Sequence, residues 1–384
     1  MNGRIFLVAA ESSGDALGAD LARALKERDA TLELHAVGGE RIAEAGVPTR
    51  TDITTGLAVL GLVDGLLAYN RVKRAVTATV AAILEAKPDV VVLIDSWGFT
   101  LRVAQAVRAA APDIKLVKYV GPQVWATRPG RAKTLAAAVD HLICIHDFEV
   151  PFYQPFGLPC TVCGHPAFGR YTPGDGAALR ARQGFTPKEK IILILPGSRP
   201  SEIRRVGPTL WAAAELLDRD RDVRLIVVAA NSVRAQVLAQ TPAAARIIDE
   251  REKEDAFAAA TVALATSGTV TTEVALQGTP LVIGYKFGWI TWAILRVLVK
   301  TKYGTLMNVA ADAEIAPEFV QTRFTAENVA QAAAPLLDDE DAREEQVRRQ
   351  DEALALMGRG GRPAAEIAAD AVLAVKDQRL SQGT

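Results

Sequence analysis

Residues 90–94 read Val-Val-Val-Leu-Ile and are followed at once by Asp95-Ser96-Trp97-Gly98. A run without polar residues is typical of a parallel strand that is buried on both faces. Further β-rich runs, separated by alanine-rich helical segments, occur at residues 5–9, 32–37, 116–119 and 142–145. Because strands and helices alternate in this way, we predict an α/β fold in which crossover helices connect parallel strands.

The same scheme starts again in the second half of the chain. Proline and glycine cluster at residues 166–176, and new apolar runs follow at residues 190–195, 224–229, 263–265 and 281–283. We therefore predict two doubly wound, Rossmann-like domains, residues 1–168 and residues 169–350, that face each other across a cleft. A C-terminal helix at 351–376, expected to pack back on the N-terminal domain, and a disordered tail at 377–384 complete the prediction.

The composition limits the class of partner and the compartment. The chain of 384 residues has 44 lysines and arginines against 45 aspartates and glutamates, which disfavours a nucleic acid as the main partner. Three cysteines and an opening apolar run, residues 4–10, that is too short for a secretory signal predict a reduced, cytoplasmic setting. Residues 281–299 are interrupted by Lys286, two glycines and Arg296, so membrane contact is expected to be peripheral.

Polar loops follow several of the predicted strands, and doubly wound sheets bind ligands at the carboxyl ends of their strands. The loop after the first strand is expected to contact a phosphate or a sugar through hydroxyls, carboxylates and backbone N–H groups. An ordinary helix N-cap explains the same residues. They are Glu11, Ser13, Gly14 and Asp15.

Asp95 follows the most apolar strand, so its carboxylate is expected to be partly desolvated and basic enough to take a proton from an attacking hydroxyl. The alternative is an aspartate that caps the next helix. Further along, Trp125 and Arg128 surround a Gly-Pro turn. We expect them either to stack a sugar and hold an anionic group or to belong to an ordinary turn at the rim.

Two loops of the second half carry residues suited to a nucleotide diphosphate. Ser198 and Arg199 follow a strong strand, and an arginine fork is suited to a pyrophosphate. Ser267-Gly268-Thr269 is predicted to open a helix whose N–H groups face a phosphate, with Glu273 one turn later accepting hydrogen bonds from a ribose. A capping motif with a solvated glutamate is the alternative.

Metal binding is not expected for this chain. Cys160 and Cys163 lie close to His165 in the sequence, but no second ligand pair follows at the spacing of a zinc site. Residues three apart on a strand also face opposite ways.

Two apolar stretches lie beside cations, which is the pattern of a segment at an anionic membrane surface. One covers residues 57–67 and the other residues 287–295. Ordinary core helices produce the same pattern. The residues expected to contact the membrane are Leu62, Val63, Leu66, Trp289 and Trp292.

Several ordered motifs resemble those of the lipid-A-disaccharide synthases, which are inverting glycosyltransferases of the GT-B type, and the resemblance runs over residues 5–375. The motifs are Glu11-x-Ser13-Gly14-Asp15-x-Leu17-Gly18, Leu195-Pro196-Gly197-Ser198-Arg199 with Glu202, Ser267-Gly268-Thr269 with Glu273, and Val299-Lys300-Thr301-x-Tyr303 with Asn308.

The resemblance implies transfer of a 2,3-diacylglucosamine unit from its UDP conjugate to the 6-hydroxyl of 2,3-diacylglucosamine 1-phosphate, giving a β-1,6 disaccharide and UDP without a metal or another cofactor. It implies that Asp95 is the catalytic base and that Tyr285 lines the uracil side. The implied UDP contacts are Ser198, Arg199, Ser267, Gly268, Thr269, Glu273 and Asn308. A peripheral position on the inner face of the inner membrane and a homodimer are also implied.

The chain departs from the family pattern on the acceptor side. Residues 94–100 read Ile-Asp-Ser-Trp-Gly-Phe-Thr where the family has Ile-Asp-Ala-Pro-Asp-Phe-Asn, so a second carboxylate and an amide are missing. Residues 121–127 read Gly-Pro-Gln-Val-Trp-Ala-Thr in place of Ser-Pro-x-Val-Trp-Ala-Trp, and Met307-Asn308 replaces Pro-Asn. The residues therefore also allow a related GT-B enzyme with another UDP-sugar or acceptor, or a non-catalytic protein that binds a UDP-sugar or a lipid.

Overall fold

The computed structural model of the protein describes residues 3–50, 65–299 and 301–382. The chain divides into two compact units, Met1–Gly169 with Gly360–Thr384, and Arg170–Arg359. The boundary predicted between residues 168 and 169 lies one residue from this division. Within the described residues each unit contains a parallel six-stranded sheet, which confirms the predicted doubly wound α/β fold.

The first unit is built on a sheet with the strand order β2-β1-β3-β4-β5-β6. Its strands are β1 (Arg4–Ala9), β2 (Glu33–Val37), β3 (Val90–Ile94), β4 (Lys115–Tyr119), β5 (His141–Cys144) and β6 (Cys160–Val162). β3 lies between β1 and β4, with Val92 opposite Leu7 on one side and Val117 on the other. The strand order reverses between β1 and β3, and a doubly wound sheet binds its ligand beside that point.

The second unit has a sheet with the order β12-β11-β10-β7-β8-β9. Its strands are β7 (Ile191–Leu195), β8 (Arg224–Val228), β9 (Arg246–Ile248), β10 (Val262–Thr266), β11 (Leu281–Tyr285) and β12 (Glu318–Val320). Here the order reverses between β7 and β10, where Leu195 pairs with Ala265. The loops at 196–199 and 267–269 therefore leave neighbouring strands at the carboxyl edge of this sheet.

Helices connect the strands of both units. Those of the first unit are α1 (Ser12–Arg28), α2 (Glu40–Glu44), α3 (Gly65–Ala86), α4 (Trp97–Ala110), α5 (Arg131–Ala136), α6 (Val150–Tyr153) and, at the end of the chain, α17 (Ala364–Gln382). Those of the second unit are α7 (Gly176–Gln183), α8 (Pro200–Arg205), α9 (Gly207–Asp218), α10 (Arg234–Leu238), α11 (Lys253–Ala259), α12 (Val270–Leu276), α13 (Trp289–Leu298), α14 (Leu306–Ala311), α15 (Ala326–Asp338) and α16 (Glu340–Leu356). Among the described residues, no helix combines the length and apolarity needed to cross a membrane.

The apolar run of β3 has a simple cause in the packing of the first unit. Val90, Val92 and Ile94 belong to a buried cluster that includes residues of α1 and α17. Val91 and Leu93 belong to a second buried cluster with residues of α3 and α4. Since side chains alternate along a strand, the sheet is covered on both faces, and no position of β3 faces water.

The first helix begins within the loop predicted after the first strand. α1 starts at Ser12, so Ser13, Gly14 and Asp15 lie in its first turn and not in a loop. Asp15 is buried, and its carboxylate accepts three hydrogen bonds from backbone N–H groups. The donors are Gly39 (2.7 Å), Arg41 (2.9 Å) and Ile42 (3.3 Å). The predicted ligand contact of Asp15 is therefore corrected to a structural role at the start of α2.

The predicted C-terminal helix at 351–376 consists of the end of α16 and most of α17, because the chain turns within that range. α16 ends at Leu356, and Gly358 and Gly360 adopt positive φ angles of 101° and 81°. Glycine reaches this left-handed region without the steric penalty of a side chain. The residues before the turn belong to the second unit and those after it to the first.

α17 packs inside the first unit. Its Ala368 and Val372 are fully buried in the cluster that contains Leu21 and Leu25 of α1. The helix continues to Gln382, so the prediction of a disordered tail at 377–384 is wrong for residues 377–382.

Candidate active site

Asp95 lies directly after β3 in an unusual backbone conformation. Its φ angle is 48° and that of Ser96 is 41°. Both lie in the left-handed region, which residues other than glycine rarely adopt. Val120, at the end of the neighbouring strand β4, also has a positive φ of 67°. Such conformations are unfavourable and are found preferentially at functional sites. The sharp turn leaves Asp95 half-buried at the carboxyl edge of the sheet.

Hydrogen bonds join the Asp95 turn to the start of α1. The Ser13 hydroxyl donates to Asp95 Oδ2 at 3.1 Å, and the Ser96 hydroxyl donates to Glu11 Oε1 at 2.9 Å. The structure therefore brings together three predicted site residues, Glu11 and Ser13 at the start of α1 and Asp95 after β3. The alternative of a capping aspartate is not observed, because Ser96 is the N-cap residue of α4 and no side chain caps that end.

Lys118 is a member of this site that the sequence analysis missed. It is fully buried on β4, and its ammonium group donates to the backbone oxygen of Asp95 and to the Thr100 hydroxyl, the latter at 2.8 Å. Burial lowers the pKa of Lys118 from its ordinary 10.5 to about 7, and the charge of Asp95 opposes part of this shift. Lys118 lies between Val117 and Tyr119 in a buried part of β4, and a lysine at such an interior position of a strand was the signal that could have identified it.

Trp125 and Arg128 lie in the segment after β4. The Trp125 ring contacts the edge of Phe148 at 5.4 Å between centroids, and Arg128 is exposed with a φ of 51°. Nearby in the chain, the Arg131 guanidinium lies 5.5 Å from the centre of the Trp97 ring. Burial, together with Arg128, lowers the pKa of Arg131. The segment therefore offers cations beside aromatic rings, which suits an anionic sugar ligand.

In the second unit a buried glutamate shapes the loop after β7. Glu202 Oε2 accepts from the backbone N–H of Ser198 at 3.0 Å and of Arg199 at 3.3 Å, and Oε1 pairs with the Arg199 guanidinium at 2.9 Å. Gly197 has a φ of 115°, and a Cβ atom there would lie only 2.6 Å from Glu202. The Tyr285 hydroxyl donates to Glu202 Oε1 at 3.4 Å. Glu202 therefore connects Ser198 and Arg199, in the loop after β7, to Tyr285 at the end of β11 by hydrogen bonds.

Arg199 remains accessible despite its ion pair. Its side chain is 74% exposed, whereas that of Glu202 is 7% exposed. The guanidinium therefore has donors free to face solvent or a ligand, because Arg carries five N–H groups in a fixed fork. The pKa of Tyr285 is raised, first by burial and then by the charge of Glu202.

The loop at 267–269 follows β10, the strand next to β7. Gly268 and Thr269 are exposed, and space is open around the position of a Gly268 Cβ atom. Ser267 is half-buried, and its N–H donates to Gly284 O at 3.2 Å. Glu273, predicted to accept hydrogen bonds from a ribose, forms an ion pair with Lys253 at 2.7 Å, a partner that the sequence analysis missed.

Asn308 is not available as a nucleotide contact in this structure. Its side chain is completely buried. The amide nitrogen donates to Ala316 O at 2.9 Å and to Glu318 Oε2 at 3.2 Å, while the amide oxygen accepts from two backbone N–H groups, those of Ile315 and Ala316. We therefore correct the prediction for Asn308, since these bonds fix the loop before β12.

An aromatic row leads from the end of β11 to α13. Tyr285 and Phe287 have ring centroids 4.4 Å apart, and Phe287 stacks on Trp292 at 6.1 Å. Trp289 is 70% exposed at the start of α13. Of the other residues predicted to contact a membrane, Leu62 and Val63 lie outside the described residues, and Leu66 belongs to α3 but its side chain is not described.

The three cysteines are free thiols. Over residues 3–50, 65–299 and 301–382, no group of three or more His, Cys, Asp or Glu side chains is arranged to hold a metal ion.

The chain is similar in sequence to one family of known proteins over almost its whole length. The sequence model of the family described as lipid-A-disaccharide synthetase matches residues 5–372. The lipid-A-disaccharide synthase of Rhodospirillum centenum is 38% identical over 383 residues, covering 98% of this chain and 95% of that protein. The enzyme of the same name from Ruegeria pomeroyi is 38% identical over 385 residues, covering 96% of this chain and 94% of that protein.

A solved structure is similar over nearly the whole chain. It is that of UDP-GlcNAc 2-epimerase from Neisseria meningitidis bound to UDP-GlcNAc, with a TM-score of 0.61 at 11% identity over 97% of this chain and 100% of that chain. At 11% sequence identity, this structural similarity shows only that the two proteins share a fold. That fold is the pair of Rossmann-like units of the GT-B type.

Proposed function

This chain belongs to the lipid-A-disaccharide synthase family, and we propose that its two units divide the family's reaction between acceptor and donor. The chain is a glycosyltransferase of lipid A biosynthesis that condenses UDP-2,3-diacylglucosamine with 2,3-diacylglucosamine 1-phosphate, giving the lipid A disaccharide 1-phosphate and UDP.

The acceptor side of the reaction is assigned to Asp95. Its carboxylate takes the proton of the acceptor 6-hydroxyl while that oxygen attacks the anomeric carbon of the donor. The bond from this carbon to the UDP oxygen breaks, and the configuration at the carbon inverts. The observation that supports this role is the left-handed turn at Asp95, whose Oδ2 accepts a hydrogen bond from the Ser13 hydroxyl at the start of α1.

The donor side is assigned to the loops after β7 and β10. Arg199 holds the pyrophosphate and stabilises the negative charge that grows on the departing UDP, together with Ser198 and the loop from Ser267 through Gly268 to Thr269. Glu273 accepts from the ribose hydroxyls, and Tyr285 lines the uracil side. The accessible guanidinium of Arg199, held by Glu202, supports this assignment.

Changing Arg199 to alanine is expected to raise the KM for the UDP-sugar donor about 10- to 100-fold, because a charge-assisted hydrogen bond to a phosphate contributes about 1.5–3 kcal/mol. The loop itself should persist, since Glu202 keeps its two backbone N–H donors. Steady-state kinetics with varied donor concentration measures the effect. Arg204→Ala, an exposed arginine of α8, is the matched control. An unchanged donor KM in Arg199→Ala would remove Arg199 from the donor site.

The reaction itself is tested by incubating the purified protein in detergent micelles with both substrates and measuring UDP release together with the mass of the lipid product. UDP and disaccharide should appear in equal amounts, and only when donor and acceptor are both present. UDP release without acceptor would indicate hydrolysis, and binding of UDP without any product would indicate a non-catalytic role.

For the place of the reaction we propose a peripheral position on the cytoplasmic face of the inner membrane, where both lipid substrates are accessible. Support comes from α13, which has one charged residue in ten and begins with the exposed Trp289. The stacked rings of Phe287 and Trp292 connect this helix to Tyr285, the last residue of β11. The homodimer implied by the resemblance is part of the same proposal, and light scattering in detergent tests it.

Trp289→Ser is expected to weaken binding to anionic phospholipid vesicles about tenfold, because membrane affinity scales with the apolar area that enters the interface. The melting temperature should stay unchanged, since the ring is mostly exposed. Vesicle sedimentation at varied lipid concentration measures the effect. Tyr171→Ser, at an exposed aromatic ring outside α13, serves as the control. Equal binding of both variants and the wild type would contradict a membrane contact at α13.

A further inference from the structure

The first unit contains a lysine where its fold calls for an apolar residue. Lys118 is 1% exposed on β4, between Leu93 of β3 and Leu142 of β5. Leu116, two residues earlier on the same face of the strand, lies in the buried cluster with residues of α4. Placing an ammonium group in such surroundings is unfavourable, so the lysine calls for an explanation beyond packing.

The contacts of Lys118 converge on the turn that carries Asp95. Its ammonium group donates to the backbone oxygen of Asp95 and to the hydroxyl of Thr100. The Thr100 hydroxyl lies 2.8 Å from that same Asp95 oxygen and 3.1 Å from Ser96 O. From the other side, the Asp95 N–H donates to Tyr119 O at 2.9 Å. The two left-handed residues are therefore held through their backbone atoms.

We propose that Lys118 and Thr100 are positioning residues that hold the Asp95–Ser96 turn in its left-handed conformation and so aim the Asp95 carboxylate at the acceptor hydroxyl. The inference rests on the proposed role of Asp95. It also involves one of the departures noted in the sequence, because Thr100 stands where the family pattern has an asparagine.

The charge of Lys118 adds a pH dependence to this role. The charged group that acts on Lys118 is Asp95, directly after β3. The polar group that faces it from α4 is Thr100, and its neighbour on β5 is Leu142. Burial brings the pKa of Lys118 to about 7. As the pH rises through this value, the ammonium group becomes a neutral amine, which is a weaker donor to the Asp95 oxygen. The turn is therefore held less firmly on the alkaline side.

The test compares the wild type with Lys118→Met in the disaccharide assay between pH 5.5 and 9. The variant should lose about 10- to 100-fold in kcat, because a small misplacement of a reacting group has effects of this size, while the KM values for both substrates stay within about twofold. The kcat of the wild type should fall as the pH rises past about 7, and this fall should be absent from the variant. Lys115→Met, at the opposite end of the same strand, should retain the wild-type kcat and pH profile.

Two substitutions of Thr100 test the role of its hydroxyl group. Thr100→Val should lower kcat several-fold, and Thr100→Ser, which keeps the hydroxyl, should restore most of it. Crystal structures of the wild type and Lys118→Met add a readout that does not depend on activity, since the φ angles of Asp95 and Ser96 should leave the left-handed region in the variant.

The outcomes separate this inference from the proposed function. An active wild type whose kcat and pH profile match those of Lys118→Met would overturn the positioning role and leave the proposed function intact. An unchanged turn in the crystal structure of the variant would overturn it as well. A wild type that makes no disaccharide, with a turn that relaxes in Lys118→Met, would overturn the proposed function and support the geometric role of Lys118.

Discussion

Asp95→Asn is expected to lower kcat for disaccharide formation by about 10³-fold, within the range of about 10²–10⁴ that general base catalysis contributes. The amide has the shape of the carboxylate and can still accept the hydrogen bond from Ser13, but it cannot take up the proton of the acceptor hydroxyl. Donor affinity should be preserved, because the donor loops belong to the second unit. Steady-state UDP release and a titration with UDP measure the two quantities.

A matched control separates this effect from a general change of charge. Asp113→Asn alters an exposed aspartate of the same unit, before β4, and should leave kcat within about twofold. If Asp95→Asn retained the wild-type kcat, the base would have to be another group, and the left-handed turn at Asp95 would lose its catalytic explanation.

Lys118→Met is expected to raise the free energy of unfolding by about 1–4 kcal/mol at pH 6, because burying an ammonium group is unfavourable and replacing buried ion pairs by apolar side chains of similar volume is often stabilising by this amount. The pKa of Lys118 is about 7 in the folded protein and 10.5 for an ordinary lysine. Between these values the unfolded chain binds more protons, so the wild type gains stability as the pH rises. The advantage of the variant should therefore shrink between pH 7 and pH 10.5.

Urea unfolding of both proteins at pH 6 and at pH 9.5 measures this difference. Lys115→Met should show no comparable pH-dependent difference from the wild type, since that lysine lies at the other end of β4 and is only partly buried. A variant that is less stable than the wild type at pH 6 would mean that Lys118 serves the fold. A more stable variant with lower activity would mean that the lysine is kept for the site.

The central strands could be predicted from the sequence because burial on both faces requires continuous apolarity. β3 was predicted with its observed bounds, and β7 within one residue. The strands β6, β9 and β12 were missed. Each has three residues at the edge of a sheet, where partial exposure allows the polar residues Thr161, Arg246 and Glu318. Such short runs carry no periodicity that separates them from loops.

The site was predictable in part for a related reason. A polar residue directly after a buried strand lies at the carboxyl edge of the sheet, which was enough to select Asp95 and Ser13. The direction of a side chain does not follow from such a pattern. Asp15 and Asn308 have suitable chemistry, but tertiary contacts turn both side chains into the protein, where backbone N–H groups satisfy them.

Lys118 and Lys253 were missed for another reason. Each was identified only through its partner, Asp95 for Lys118 and Glu273 for Lys253. The members of each pair lie about twenty residues apart in the sequence, and their contact depends on how strands and helices pack. Lys118 nevertheless lies at an interior position of a buried strand, which is a signal that can be searched for in related chains.

The most direct test of the account is the configuration of the new glycosidic bond, measured by proton NMR on the disaccharide that the purified wild-type protein makes from UDP-2,3-diacylglucosamine and 2,3-diacylglucosamine 1-phosphate. Attack by a hydroxyl that Asp95 deprotonates, on the face opposite the departing UDP, predicts a β-1,6 linkage and no detectable α product. An α-linked product, or UDP release without a disaccharide, would contradict direct transfer with Asp95 as the base.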